Sequence, residues 1–183
     1  MAAVSRVRDA AAQRRAWFAM RVQEGTEAEV CAFMRAAIAD AGIEAVCVVP
    51  HSLITRPGTC EAGSLHELLP GCVLVATDDI EQMRAALVRT SALRRLSGRR
   101  VAFVPLADDV AEWVESCAQV DGCTFGMSEG YDEQGKVVVV SGPLKGRESM
   151  IRKTNHRKKL AYIRIPLFGE MVEAELGLRL VRK

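Results

Sequence analysis

The sequence is poor in aromatic side chains, which occupy 5% of its 183 positions. It has no run of about 18 consecutive apolar residues, the length needed to cross a bilayer as a helix. A membrane-spanning role is therefore not expected. The first residues are basic (Arg6, Arg8, Arg14, Arg15), but neither an apolar stretch nor a small-residue cleavage site follows them, so no secretory signal is expected. Six cysteines stand at 31, 47, 60, 72, 117 and 123 without a CxxC pair. Zinc sites draw on C-x2-4-C or H-x3-5-H spacings, and His51, Cys60, His66 and Cys72 supply neither. There is also no HExxH, no Gly-rich phosphate loop, no paired-carboxylate signature and no oriented Cys-His nucleophile. These gaps point away from an enzyme and from a metal or other cofactor. Several cysteines lie in apolar runs, as in Glu44-Ala45-Val46-Cys47-Val48-Val49, and read as buried reduced thiols of a cytoplasmic protein.

Nearly half of the chain, 49%, is hydrophobic, enough for a real core. The formal net charge of +2 hides an asymmetry: residues 129–183 carry 12 Lys/Arg against 7 Asp/Glu, residues 1–128 carry 13 against 16. Such a step suggests two domains with different partners, the basic one suited to phosphate backbones.

Residues 16–22 (Ala-Trp-Phe-Ala-Met-Arg-Val) read as a strand. Thr26-Glu27-Ala28-Glu29 has the form of a capping box, followed by Val30, Phe33, Met34, Ala37, Ile38 and Ala41 at helical spacing and by Gly42 as a stop. A second strand, 45–49, ends at Pro50; a long loop or hairpin around Pro57-Gly58 follows, and Pro70-Gly71 opens a strand over 72–77. Helices are expected from Asp78 and from Asp108, with a short strand at 101–106 between them. This order describes an α+β domain, an antiparallel sheet flanked by helices, over 14–118. Residues 119–128 lose helical periodicity and form the best linker candidate, although Val120, Phe125 and Met127 make it less polar than a free tether. Beyond it the period becomes two. Strands at 136–140, 148–153, 159–165 and 171–176, with turns at Gly142-Pro143, Thr154-Asn155-His156-Arg157 and Gly169, suggest a small β-barrel over 129–183.

The most informative local feature is the window 145–164, with eight Lys/Arg (Lys145, Arg147, Arg152, Lys153, Arg157, Lys158, Lys159, Arg164) and one acid, Glu148. It reads either as a solvated barrel edge, where lysines discourage strand pairing, or as a phosphate-binding surface. Asn155, His156, Arg157 and Tyr162 are the side chains placed to reach bases. In the first domain Trp17, Phe18, Leu69, Cys72, Val73 and Val75 are either core or part of a partner surface. Alternation sends Trp17 and Phe18 to opposite faces of the sheet.

Three stretches in register resemble the NusG family of transcription factors: Trp17–Val22 with the helix start that follows, Leu69-Pro70-Gly71-Cys72-Val73-Leu74-Val75, and the KOW-like Gly135–Gly146 with the Phe168-Gly169 turn behind it. Among family members the basic second domain and the ending 172–178 look most like the LoaP-like specialised paralogs. The resemblance implies an N-terminal NGN domain (14–118), a linker (119–128) and a KOW domain with an SH3-like barrel (129–183). It implies attachment to the clamp helices of the RNA polymerase β′ subunit through Trp17, Phe18, Leu69, Cys72 and Val73. It further implies processive antitermination by a cytoplasmic, bacterial, monomeric factor whose KOW domain binds an RNA hairpin in the nascent transcript. Leu69 and Cys72 depart from the family's usual Phe and Tyr, which leaves the contacting residues open. Two other readings stay open: a general NusG whose barrel binds a ribosomal protein or the Rho factor through an apolar tip at Leu167 and Phe168, and a ribosome-associated KOW RNA-binding protein.

Overall fold

The computed structural model describes residues 15–55, 63–88, 102–119 and 122–181. Cys60, the Pro57-Gly58 turn, Gly98 and the arginines before Arg15 lie outside the described residues. The architecture is α+β, as expected, and divides by packing into two compact units.

Among the described residues, the first unit takes 15–48, 71–88, 102–106 and Gly122. Its sheet is built from β1 (Ala16–Arg21), β2 (Ala45–Val48), β5 (Cys72–Thr77) and β6 (Phe103–Pro105), in the order β2-β5-β1-β6 with every pair antiparallel. The β-branched, apolar run of β5 is buried at all six positions, as a central strand covered on both faces should be. Helix α1 (Glu27–Asp40) lays Val30, Cys31, Met34 and Ile38 inward at helical spacing. Its end is the expected glycine stop. Gly42, at φ 64°, donates its N–H to the carbonyl of Ala39, and Ile43 donates to that of Ile38, which is the Schellman pattern. Helix α2 (Ile80–Val88) packs on α1, and its first turn is held by Asp79, whose Oδ1 accepts the Gln82 N–H at 2.9 Å.

The start of α1 corrects the capping box. Thr26 makes no side-chain cap; its hydroxyl donates to the Gln23 carbonyl at 2.7 Å. Glu27 turns into the core instead, where Oε1 accepts the Gly71 N–H at 2.5 Å.

The second unit takes 49–55, 63–70, 107–119 and 123–181. Strands β3 (Pro50–Ile54) and β4 (Ser64–Glu67) form an antiparallel hairpin, and β3 pairs in parallel with β8 (Gly122–Phe125), which β7 (Ala118–Gln119) flanks. The barrel strands are β9 (Ser128–Glu133), β10 (Lys136–Ser141), β11 (Ile151–Asn155), β12 (Leu160–Leu167) and β13 (Glu170–Val181), ordered β10-β9-β13-β12-β11. The long β13 runs antiparallel to β12 with its first part and parallel to β9 with Leu178–Val181. Helix α3 (Asp108–Cys117) carries Trp113, whose Nε1 donates to the Pro143 carbonyl at 2.8 Å and whose ring lies 4.4 Å from that of Phe125.

The compact units therefore differ from the contiguous division read from sequence. Residues 49–55, 63–70 and 107–118, expected with the N-terminal domain, pack with 123–181. The expected linker contains β8, whose Cys123 and Phe125 are fully buried. Of the apolar side chains that looked unusual for a tether, Phe125 is core and Met127 is half-buried, while Val120 lies outside the described residues.

Candidate nucleic-acid interface

The basic window falls on one structural device, the β11–β12 hairpin with the turn region that leads into it. The turn is His156–Lys159, two residues later than the sequence suggests. Asn155 shapes it: Oδ1 accepts the Lys158 N–H at 2.9 Å, the local side-chain bond that makes Asn a turn former. Lys159 closes it in the left-handed region at φ 54°. The outcome is that His156, Arg157 and Lys158 are exposed at the tip, with Lys159 half-buried behind them. Asn155 is half-buried, with its oxygen engaged in the turn.

Arg152 is the extra residue in a register shift of β11 between Ile151 and Lys153. It and Lys153 are exposed, as is Lys145; Arg147 is half-buried. Among the described residues, none of Lys145, Arg147, Arg152, Lys153, Arg157, Lys158 and Lys159 forms an ion pair. Arg164 does: its Nε and Nη2 both donate to Glu173 Oε1 at 3.1 Å. It is therefore the one expected RNA contact whose charge is already balanced.

The single acid in the window, Glu148, serves the backbone. Its carboxyl is held below the ordinary value of 4.5 chiefly by its own backbone N–H, against an opposing effect of burial, with the N–H groups of Val139 and Gly146 adding smaller effects. Oε1 accepts the Val139 N–H at 3.1 Å. The preceding turn needs glycine at Gly142, which sits at φ 89° with Ser128 Cα and the Met127 carbonyl 2.5 and 2.6 Å from where a Cβ would be. Ser128, buried, accepts the Leu144 N–H there at 3.1 Å.

Tyr162 is half-buried on the outer face of β12. Its cross-strand neighbours are Lys153 on β11 and Glu175 on β13. Beside it, within the same unit, a cleft of about 770 Å³ is lined by Tyr162, Lys158, Leu160, Glu173 and Glu175 on the barrel side and by Ser52, Ile54, His66 and Glu67 of the β3–β4 hairpin. The acidic members of this cleft were not singled out from sequence. A signal for them existed, because Glu173 and Glu175 alternate along β13.

The five residues expected to meet polymerase are placed differently. Trp17, Cys72 and Val73 are buried in the first unit, with Phe18 half-buried, and Leu69 is buried in the second. Trp17 and Phe18 do alternate across the sheet, and Cys72 and Val73 pair with Arg21 and Met20 on the neighbouring strand. The Cys72 thiol is pushed up from 9.0 to about 12 by burial, against a smaller effect of Arg21. None of these five side chains is exposed. The large exposed apolar side chains among the described residues are Leu65, Val140, Met171 and Val181. Of the suggested apolar tip, Leu167 is buried; Phe168 is half-buried next to exposed Pro166 and Met171, which face each other across β12 and β13. His51 and His66 gather no group of metal-binding side chains among the described residues. No described helix is long and apolar enough to cross a membrane.

No protein-family model matches this sequence, and a search of curated proteins finds no match. Solved structures do. The chain is similar to NusG of Thermotoga maritima, in a structure concerned with domain interaction in that protein, with a TM-score of 0.50 and 16% identity, covering 89% of this chain and 93% of that one. A weaker likeness, to the MjSpt4:Spt5 complex in conformation B, has a TM-score of 0.34 and 13% identity over 88% of this chain and 91% of that one. The first likeness establishes the fold; the second is too weak to carry an argument.

Proposed function

We propose that this chain is a NusG-like, non-enzymatic transcription elongation factor that docks on RNA polymerase and binds nascent RNA through its basic hairpin. The observation that carries the reading is a coincidence of two independent features. The NusG fold extends over 89% of the chain, and seven cations of the window 145–159 stand without ion-pair partners among the described residues. Unpaired cations on an exposed hairpin bind phosphate without desolvating an existing salt bridge, and they position RNA irrespective of its sequence.

The functional division we propose follows the chain rather than the compact units. Residues of the NGN segment, 14–118, meet the clamp helices of the β′ subunit; residues of the KOW segment, 129–183, meet an RNA hairpin in the transcript leader. Such recruitment favours processive antitermination of selected operons, the LoaP-like role, by a bacterial cytoplasmic factor. Phe18 is the accessible member of the polymerase set, and docking by Trp17, Leu69, Cys72 or Val73 requires exposure that these residues lack here.

A second reading has its own observation. Exposed Pro166 and Met171 beside Phe168 form an apolar tip suited to a protein partner such as a ribosomal protein or Rho. The two separate in one experiment: elongation by purified polymerase on a template with a long leader, with wild-type protein, with Arg157→Glu/Lys158→Glu, and with Met171→Asp. Loss of pause suppression only in the charge-reversed protein supports RNA recruitment. Polymerase that neither binds the protein nor changes its pausing contradicts the elongation-factor reading.

A further inference from the structure

The basic hairpin accounts for affinity but leaves the cleft beside it unexplained, and the cleft has the wrong charge for a plain phosphate track. Its volume of about 770 Å³ falls within the roughly 300–1,000 Å³ usual for small-molecule sites. Tyr162, one of only two tyrosines in the chain, stands half-buried at its wall. Lys158, from the exposed hairpin tip, also lines it, so the cleft opens where the unpaired cations end. Glu175 is Tyr162's direct neighbour on β13, which places the two side chains roughly 5 Å apart at their Cβ atoms. Its carboxylate differs from that of Glu173, two residues earlier on the same face. Glu173 is taken by Arg164, whereas Glu175 has no cation partner among the described residues.

An unneutralised carboxylate next to a phosphate-binding hairpin weakens RNA binding unless it meets a donor on the RNA. Ionised Glu only accepts hydrogen bonds and has two oxygens to do so. Of the four bases only guanine offers two adjacent donors, the N1 imino and N2 amino groups. Adenine and cytosine set an acceptor beside their amino group, and uracil flanks its one imino with two carbonyls. An aromatic ring beside such a carboxylate supplies a stacking surface for an unpaired base.

We infer that this cleft is a base-selective subsite that takes a single unpaired guanine of RNA, stacked on Tyr162 and held through its Watson–Crick edge by Glu175, with Lys158 on the adjoining phosphate. The inference rests on the RNA-binding reading above and adds the base to it. Tyr162 thereby acts by stacking, and Glu175 by selecting the base at a cost in plain electrostatic affinity.

The test uses the full chain and fluorescein-labelled nine-residue RNAs, all uridine except at the central position, which is uridine, guanosine, inosine, adenosine or cytidine. Guanosine should bind about tenfold tighter than uridine, adenosine or cytidine, the order expected of one bidentate contact. Inosine, which keeps N1–H and lacks the amino group, should fall between. Glu175→Gln should abolish the guanosine preference while all-uridine RNA binds as well as before or better, a split that a merely structural role would not produce. Tyr162→Leu should weaken guanosine RNA more than all-uridine RNA. Equal affinity for all five RNAs, or a guanosine preference that survives Glu175→Gln, overturns the subsite and leaves the hairpin reading standing. Failure of every RNA to bind at low salt overturns the RNA-binding reading itself, and the subsite with it.

Discussion

The buried carboxylate of Glu27 accepts the backbone N–H of Gly71, 44 positions away in the chain, at 2.5 Å. The bond ties the first turn of α1 to the entry of β5, where Gly71 sits at φ 73°. Removing the acceptor strands a buried amide, which costs about 1–3 kcal/mol. Glu27→Ala should therefore lower the free energy of urea unfolding by at least about 1 kcal/mol, and Glu27→Gln, which keeps an acceptor, should lower it less. Equal loss in both variants would show that the amide is not what the side chain serves.

Lys159 occupies the left-handed region at φ 54° to close the β11–β12 turn. An L residue pays about 1–2 kcal/mol there, and glycine pays nothing for the missing Cβ. Lys159→Gly is expected to leave thermal stability unchanged or raise it by up to about 1 kcal/mol, while Lys159→Val lowers it. Stability ordered the other way would mean that this turn is not the one described.

Gly142 has a stricter requirement, since both its φ of 89° and the closeness of Ser128 and Met127 exclude a side chain. Gly142→Ala should destabilise by more than about 2 kcal/mol. Gly146, at φ 74° with open space around it, should tolerate alanine better. Paired denaturation curves check the ranking.

Burial pushes the Cys72 and Cys123 thiols from 9.0 up to about 12. In the unfolded chain both ionise near 9, so over about pH 9–12 the unfolded state releases protons that the folded state keeps. Their contribution is complete below pH 9 and is lost as the pH rises, by at most about 1.4 kcal/mol per pH unit for each thiol. Glu148 works in the opposite sense: its lowered carboxyl stabilises above its ordinary 4.5 and loses that contribution as the pH falls through the lowered value. Urea midpoints at about pH 8 and about pH 10.5 should drop further for wild type than for Cys72→Ala/Cys123→Ala. Parallel drops would contradict the assignment.

Arg164 and Glu173 form a balanced pair on the face that carries the basic hairpin. Replacing both by Gln should leave the salt dependence of RNA binding unchanged, unlike any loss among the unpaired cations.

Much of this was legible where the governing interaction is local. The two-residue Phe168-Gly169 turn, with both φ values positive, fixes the β12–β13 register, and Leu167 faces Glu170 across it. Counting back along the strands then yields the Arg164–Glu173 and Tyr162–Glu175 pairs, so the cleft's key juxtaposition is implicit in the sequence. Gly42 as a helix stop and Asn155 as a turn former were readable for the same reason. The capping box failed because the Thr26 hydroxyl donates to the Gln23 carbonyl and does not cap the helix. Residues 119–128 resembled a linker because β8 pairs in parallel with β3, a partner some 70 residues earlier that no local pattern reveals. The burial of Trp17, Leu69, Cys72 and Val73 is likewise a product of packing, and their apolar character fitted core and partner surface equally well.

The central claim is that unpaired cations of one exposed hairpin bind RNA phosphates. Its most direct test is the slope of log K against log salt for a leader RNA, comparing wild type with Arg152→Glu/Arg157→Glu/Lys158→Glu. Each lost phosphate contact should flatten the slope by about 0.7 for single-stranded RNA, so the triple variant should be shallower by about 2 and bind more weakly at every salt concentration. An identical slope in the two proteins would contradict the account.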